Sequence, residues 1–168
     1  LASDMHCDEE FARDMNFEYV DLDTLFKKSD IVTLHVPYSK STHHLINKDN
    51  IHSIKKGAYI INTSRGGVVE TEALVMALRD GHLAGAGLDV LEEEGAIKDE
   101  LDLLVSGHPE EHNLRTILAN HILIDMPNVI VTPHNAFNTW EALKRIIDTT
   151  LYNIESFIKG DPKNVIKE

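Results

Sequence analysis

An arginine that directly follows a short apolar run is the first residue that could do chemistry. The run at residues 59–61 is long enough for a buried strand and too short for a helix, and it stops at Asn-Thr-Ser-Arg65 before two glycines. A guanidinium held at a strand end, beside hydroxyls and a backbone free to turn, suits planar recognition of a carboxylate or phosphate. The same residues could form an ordinary β-turn with a solvated arginine, so the rest of the chain must decide between the two interpretations.

A histidine in a similar position supplies a second chemical group. His134 follows Pro133 after the apolar run at residues 128–132, and it could be a structural histidine or an acid/base group. Reduction of a 2-oxo acid needs a cation for the carboxylate, a proton donor for the carbonyl oxygen, and a carboxylate that orients and charges this donor. Arg65, His134 and one acid from Glu92-Glu-Glu94 would provide these groups, and a nicotinamide would provide the hydride.

The elements that must position these residues alternate along the chain. The predicted strands cover residues 1–3, 17–20, 31–36, 59–61, 83–90 and 128–132, and the predicted helices cover 8–15, 23–28, 47–54, 70–79 and 139–158. Such alternation predicts βαβ units and an α/β, Rossmann-type, doubly wound parallel sheet. Residues 91–126 break the pattern, with helix-like fragments around Leu101, Leu114 and Ile122, and are interpreted as an elaborated connection. We expect a partial dinucleotide-binding domain over 1–134 and a long helix with a C-terminal tail over 135–168.

Five of these strands end at a polar or conformationally special residue. These residues are Asp4, His35 with Pro37, Ser64 with Arg65, Asp89, and His134. In an open parallel sheet, ligands bind beyond the carboxyl ends of the strands, so the coincidence predicts a binding site there. An acid after the second strand of a dinucleotide fold binds the adenosine ribose and favours NAD over NADP. Asp4 is the candidate, although taken alone it is more simply a helix cap or a loop carboxylate.

The glycine-rich phosphate turn of a dinucleotide fold is missing from the sequence. The nearest match, Gly85-Ala-Gly87, lies inside a predicted strand and lacks the third glycine. If Asp4 ends a second strand, the first strand and its glycine turn lie upstream of residue 1, and the chain, which opens without Met, is a fragment or a processed chain. Because the pyrophosphate would then have no helix N-terminus to bind, we expect these 168 residues alone to bind NAD poorly and not to turn over.

Four segments together resemble the D-isomer-specific 2-hydroxyacid dehydrogenase family. The segments are Ser29-Asp-Ile-Val-Thr-Leu-His-Val-Pro37, Ile61-Asn-Thr-Ser-Arg-Gly-Gly-Val-Val69, Gly87-Leu-Asp-Val-Leu-Glu92 and Asn128-Val-Ile-Val-Thr-Pro-His-Asn-Ala-Phe137. They follow the family's order and nearly its spacing, and the likeness covers essentially the whole chain. The long segment between Asp89 and Pro133 and the Asn-Ala-Phe after His134 resemble the D-lactate dehydrogenase branch.

The resemblance implies a role for each candidate residue. Arg65 would clamp the substrate carboxylate and carbonyl, His134 would be the acid/base group, and Glu94 would be its carboxylate partner. Glu92 competes with Glu94, because the family usually shows Glu-x-Glu at this point. The implied cofactor site, for NAD, consists of Asp4, His35, Val36, Pro37, Thr42, Thr63, Ser64, Arg65, Asp89 and His134.

The family also implies features beyond these residues. The substrate would be a 2-hydroxy or 2-oxo acid, with lactate, 2-hydroxyisocaproate, glycerate and 3-phosphoglycerate as the alternatives. The enzyme would be a homodimer, and its substrate domain would be absent from this chain. Two other classes stay open: a dinucleotide-sensing binding module without useful turnover, and an inactive fragment.

Composition and the remaining motifs exclude several kinds of partner. A net charge of −12 and a pI near 5.2 argue against nucleic acid and anionic membrane. Cys7 is the only cysteine, which excludes a disulfide framework and favours a reducing cytoplasm. The segment His108-Pro-Glu-Glu-His112 has the spacing of an inverted zinc peptidase motif, but its proline fits only a first helical turn, so we expect no metal site. His43, His44 and His52 lie in polar stretches and are expected to be solvated.

Overall fold

The computed structural model describes residues 1–94 and 113–166, and these residues contain a four-stranded parallel sheet. The strands are β1 (Ile31–Leu34), β2 (Tyr59–Asn62), β3 (Gly85–Leu88) and β4 (Val129–Val131), and they lie side by side in that order. The helices are α1 (Glu9–Asp14), α2 (Leu22–Lys28), α3 (Thr71–Arg79), α4 (Leu114–Asp125) and α5 (Trp140–Ile158). The predicted Rossmann-type parallel sheet is therefore confirmed.

The register of the sheet aligns the ends of its strands. Leu34 pairs with Asn62, Asn62 pairs with Leu88, and Leu88 pairs with Val131. Because all four strands are parallel, their carboxyl ends lie at one edge, where an open α/β sheet binds its ligands.

Small residues in β3 let its neighbours pack closely. A Cβ atom added to Gly85 would lie 2.6 Å from the Asn128 carbonyl oxygen and 3.1 Å from the Tyr59 ring. Gly85-Ala-Gly87 is therefore a packing element inside a strand, as its sequence context predicted, and it does not form a phosphate-binding turn.

The helix after β2 buries the apolar face that its sequence predicts. Ala73, Leu74, Ala77 and Leu78 all lie in the hydrophobic core, which also contains Ile60 of β2. The spacing of these residues places them on one side of α3, and the helix also packs against α4.

The prediction of a helix over 47–54 is wrong. Only a 3₁₀ turn forms in this segment, at Ile51–Ser53. Two asparagine side chains explain the difference. Asn50 Oδ1 accepts from the Asn47 backbone N–H at 2.9 Å, and Asn50 Nδ2 donates to the Leu45 carbonyl oxygen at 2.8 Å. Asn47 Oδ1 accepts from the backbone N–H of Asp49. Such local side-chain bonds compete with helical backbone bonds and stabilise a loop.

Two other parts of the chain differ from expectation. The fragments predicted around Leu114 and Ile122 form one helix, α4, which begins at its cap Asn113. The predicted strands at 1–3 and 17–20 are reduced to one parallel bridge between Ala2 and Tyr19. The fragment around Leu101 and the motif at 108–112 lie outside the described residues.

The chain divides into two compact units, Leu1–Pro133 and His134–Glu168. The second unit contains α5, whose cap Thr139 accepts a hydrogen bond from the backbone N–H of Ala142 at 3.2 Å. Within residues 1–94 and 113–166, no helix is long and apolar enough to span a membrane.

Candidate active site

The loop after β2 is built around a buried asparagine. Asn62 is 1% exposed, and its Nδ2 donates to the Arg65 carbonyl oxygen at 3.0 Å. Its Oδ1 accepts from the backbone N–H of Ser64 at 3.0 Å and from the Ser64 hydroxyl at 2.9 Å. Because the buried Asn62 amide bonds to both Ser64 and Arg65, it fixes the turn that carries Arg65.

The Arg65 side chain is exposed at the sheet edge. Its Nη1 donates to the Ser64 carbonyl oxygen at 2.7 Å, which orients the guanidinium along the loop. A guanidinium has five N–H donors in a planar fork, so a carboxylate can still be bound by donors that this bond leaves unused.

Replacing Asn62 with aspartate tests this arrangement. The substitution puts an acceptor in place of the Nδ2 donor, opposite the Arg65 carbonyl oxygen, in a buried position. We expect the free energy of unfolding, measured by urea denaturation, to fall by about 1–3 kcal/mol. Asn128→Asp is the matched control, because its Nδ2 also donates to a carbonyl oxygen, that of Ala84, but at an exposed position. Equal losses in both variants would contradict the role given to Asn62.

A glycine brings the loops after β2 and β3 into contact. A Cβ atom added to Gly66 would lie 2.1 Å from the Leu91 carbonyl carbon and 2.3 Å from the Glu92 backbone nitrogen. Since real Cβ atoms do not approach backbone so closely, only glycine fits at this point. The loop that follows Arg65 and the loop that leads to Glu94 are therefore packed backbone against backbone.

Both carboxylate oxygens of Glu92 accept hydrogen bonds from other residues of the first unit. Its Oε2 accepts from the Thr71 backbone N–H at 2.8 Å and from the Thr71 hydroxyl at 2.5 Å, and its Oε1 accepts from His44 Nε2 at 2.7 Å. The Glu92 side chain is only 14% exposed. Glu94 is half-buried, and its Oε2 lies 3.5 Å from the backbone nitrogen of Leu91.

Asp89 is buried where β3 ends. It is 4% exposed, and its Oδ1 accepts from the Thr132 hydroxyl at 2.5 Å, which joins the ends of β3 and β4. Its backbone N–H donates to the carbonyl oxygen of Asn62 at 2.9 Å. Asp89 thus lies at the sheet edge next to the loop of Arg65.

The residues after β1 form a second part of the same edge. The Thr42 hydroxyl donates to the Pro37 carbonyl oxygen at 2.6 Å and accepts from the Ser39 backbone N–H at 2.8 Å. His35 is exposed, with its Nε2 2.9 Å from the Thr33 hydroxyl.

The other predicted cofactor residues differ in burial. Val36 packs against the core, and Thr63 and Ser64 are half-buried after β2. Asp4 is exposed, and its Oδ1 accepts from the His6 backbone N–H at 2.8 Å, as a loop carboxylate does. An exposed acid, hydroxyls and small side chains fit the ribose and nicotinamide parts of a dinucleotide. The sequence contributes no glycine turn for the phosphates.

His134 is the first residue of the second unit, and its backbone is unusual. Its φ is 54°, in the left-handed region that side chains other than those of Gly, Asn, Asp and His seldom adopt. The side chain is half-buried. Such conformations are found preferentially at functional sites, where a backbone direction must be held at some cost.

One expectation from sequence is wrong at this edge. His44 was expected to be solvated, but its side chain is 31% exposed and bonds to Glu92, 48 residues away. No local pattern reveals a partner at that distance.

Within residues 1–94 and 113–166, no group of three or more His, Cys, Asp or Glu residues could hold a metal ion.

Comparison with known proteins decides what kind of domain this is. Residues 1–136 match the family described as D-isomer specific 2-hydroxyacid dehydrogenase, NAD binding domain. The chain belongs to this family. The match also confirms NAD as the cofactor of the domain type.

Individual members of the D-isomer specific 2-hydroxyacid dehydrogenase family are similar over most of this chain. A glyoxylate reductase of Thermofilum pendens is 43% identical over 155 residues, which are 91% of this chain and 40% of that protein. A glycerate dehydrogenase of Methylorubrum extorquens is 38% identical over 148 residues, 88% of this chain and 41% of that protein. The chain thus spans less than half the length of these relatives.

A solved structure agrees with the sequence comparisons. The D-lactate dehydrogenase of Aquifex aeolicus, in complex with NAD and lactic acid, is 40% identical with a TM-score of 0.78. The similarity covers 95% of this chain and 46% of that one. The family resemblance predicted from the four sequence segments is therefore confirmed.

Proposed function

We propose that the protein is an NAD-dependent oxidoreductase that interconverts a D-2-hydroxy acid and a 2-oxo acid by hydride transfer. The observation that carries this proposal is the exposed Arg65 guanidinium, on a turn whose backbone is held by buried Asn62, at the ligand-binding edge of a family NAD-binding domain. Relatives with the names glyoxylate reductase, glycerate dehydrogenase and aromatic 2-oxoacid reductase support it. Their named substrates share a carboxylate next to an oxygen-bearing carbon, which is the group that Arg65 would bind.

The roles of the three catalytic residues follow the family resemblance. Arg65 binds the carboxylate and polarises the carbonyl oxygen. His134 donates a proton to that oxygen during reduction and accepts it from the hydroxyl during oxidation. Glu94 is the carboxylate that orients His134, because both oxygens of its competitor Glu92 are already engaged by Thr71 and His44. When bound, NAD supplies or accepts the hydride.

The cofactor residues proposed are those predicted from sequence. Asp4 would bind the adenosine ribose, Val36, Pro37 and Thr42 would line the dinucleotide, and Thr63 and Ser64 would lie beside the nicotinamide ribose. Asp89 would meet the nicotinamide end, next to the Arg65 loop. We further propose that residues 1–134 act as the NAD-binding domain and that residues 135–168 belong with a substrate domain.

The substrate that we propose first is D-lactate, with pyruvate as its oxidised form. Several similar solved structures are D-lactate dehydrogenases, among them that of Lactobacillus jensenii, which is 31% identical with a TM-score of 0.79. A homodimer is proposed from the family and a cytoplasmic location from the single cysteine.

Exchange of Arg65 for lysine tests the proposal in the product of the complete gene. Lysine keeps the charge but loses the planar fork, so we expect the KM for pyruvate to rise about 10- to 100-fold while NADH affinity stays within a few-fold. Turnover is followed by the loss of NADH absorbance with pyruvate, glyoxylate and hydroxypyruvate in separate assays. Arg79→Lys is the control, since Arg79 is exposed and its Nε pairs with Asp80 Oδ1 at 3.3 Å, at the carboxyl end of α3.

Each result of this assay has a clear meaning. Turnover by the unmodified protein together with a selective KM effect in Arg65→Lys supports the dehydrogenase. NADH binding without reduction of any of the three acids would contradict it and favour the dinucleotide-sensing module. Identical behaviour of Arg65→Lys and Arg79→Lys would show that Arg65 does not bind the substrate carboxylate.

A further inference from the structure

We infer that Glu92 is a positioning residue, which holds the backbone that carries Glu94. Its carboxylate joins three segments at the sheet edge: the loop after β1, the start of α3 and the loop after β3. The inference rests on the proposed function, because it concerns how the proposed catalytic carboxylate is placed.

The first contact caps the helix α3. Glu70, the residue at the N-cap position, makes no side-chain capping bond, and its Oε2 instead accepts from the backbone N–H of Lys48 at 2.7 Å. Glu92 takes its place and accepts from both the backbone N–H and the hydroxyl of Thr71, the first residue of the helix. A carboxylate here also lies at the positive end of the helix dipole. The bond therefore fastens the β3 loop to a rigid element 21 residues earlier in the chain.

The second contact fastens the loop after β1. His44, which donates to Glu92, stacks on the ring of His43 with centroids 3.9 Å apart, and His43 Nδ1 lies 3.0 Å from the Tyr38 hydroxyl. The Tyr38 ring covers Gly67, where an added Cβ atom would lie 2.8 Å away. A continuous series of contacts thus runs from Glu92 through the β1 loop back to the loop of Arg65.

The main chain of Glu92 also makes contacts at this point. Asn120 of α4 is 0% exposed, and its Nδ2 donates to the Glu92 carbonyl oxygen at 2.6 Å. Gly66 packs against the Glu92 backbone nitrogen from the other side. Glu93 follows with a φ of 51°, so the chain turns sharply between the anchored Glu92 and the half-buried Glu94.

Through these bonds Glu92 sets the direction of the Glu94 side chain and also contributes to the stability of the protein. The backbone between Glu92 and Glu94 contains one residue, so we expect loss of the Glu92 side-chain bonds to change the direction of the Glu94 side chain. Displacement of a catalytic group by about 1 Å can cost about 100-fold in rate. A purely structural role would lower the stability of the protein and leave the kcat of its folded molecules unchanged.

The test compares two substitutions of Glu92 in the product of the complete gene. Glu92→Gln keeps the shape, so its amide oxygen can still accept from Thr71, whereas Glu92→Ala removes every side-chain bond. We expect Glu92→Ala to lower kcat for pyruvate reduction about 10- to 100-fold, with the KM for NADH within about threefold. We expect Glu92→Gln to restore most of kcat. Rates are taken per folded molecule, with the folded fraction measured by urea denaturation.

Two further variants distinguish the loss of Glu94 positioning from two other effects, the loss of a negative charge and a failure to fold. Glu93→Asn removes an acid one residue away, and asparagine tolerates the left-handed backbone of Glu93, so its kcat should stay near that of the unmodified protein. If Glu92→Ala does not fold, Thr71→Val removes one bond to Glu92 while nearly keeping the side-chain shape, and it should lower kcat in the same direction.

The outcomes distinguish this inference from the proposed function. If the unmodified protein reduces no 2-oxo acid, the proposed function fails, and the positioning inference fails with it. If the unmodified protein turns over and Glu92→Ala has the same kcat per folded molecule, only the positioning inference is overturned. A loss in Glu92→Ala that Glu93→Asn reproduces would also overturn it, because charge alone would then explain the effect.

Discussion

Exchange of His134 for asparagine is expected to lower kcat for pyruvate reduction by about 10²- to 10⁴-fold, the usual contribution of a general acid. Asparagine cannot supply the proton, but it tolerates the left-handed backbone that His134 adopts, at φ 54°. The substitution therefore removes the imidazole without adding backbone strain. The measurement is steady-state NADH oxidation in the product of the complete gene, together with NADH binding, which should change by less than about threefold since the lost group acts on the substrate.

A second histidine provides the control for this experiment. His52 is exposed and its ring contacts His82, which precedes β3 and so lies towards the amino ends of the strands. His52→Asn makes the same chemical change away from the ligand-binding edge and should keep full activity. If His134→Asn were as active as His52→Asn, His134 would have no acid/base role, and the acid would have to be sought among other residues.

Exchange of Gly66 for alanine is expected to be the most destabilising single methyl addition at this edge. The new Cβ atom would lie 2.1 Å from the Leu91 carbonyl carbon and 2.2 Å from its oxygen. No side-chain rotation can relieve an overlap with backbone, so the loops after β2 and β3 must separate. We expect the free energy of unfolding to fall by about 3 kcal/mol or more, at the upper end of the usual cost of overpacking. Urea denaturation measures the change.

The same separation should reduce activity, because these loops carry Arg65 and Glu94. Gly87→Ala is the matched control: its added Cβ would lie 3.0 Å from Ile61 Cδ1, the end of a side chain that can rotate away. A loss of about 1 kcal/mol is expected there. If both alanine variants were equally stable, the close approach at Gly66 would not constrain the sheet edge.

Several elements follow from local sequence. The short apolar runs at 31–36, 59–61 and 83–90 each coincide with a strand of the sheet, and the observed strand ends differ from the predicted ones by at most two residues. The apolar face of α3 is buried as its spacing predicts. These predictions succeed because strand and helix periodicities are properties of neighbouring residues. The predicted parallel order of the strands is confirmed, and it brings the polar residues at their carboxyl ends to the same side of the sheet.

Other features depend on partners that are distant in the chain. The helix expected over 47–54 is replaced by a loop because Asn47 and Asn50 bond to nearby backbone, a competition that apolar spacing does not reveal. The bond of His44 to Glu92 spans 48 residues, and that of Asn120 to Glu92 spans 28. No local pattern predicts either of them.

By itself, the sequence determined the fold class, the family and the types of residue that could do the chemistry. These depend on periodicity, on motifs, and on the order of segments along the chain. Only the tertiary structure showed that Asn62 holds the Arg65 turn, that Gly66 packs against the β3 loop, and that both Glu92 oxygens are engaged. Two acids that stand two residues apart look equivalent in a sequence. They differ here because hydrogen bonding depends on which side chain the fold turns towards Thr71 and His44.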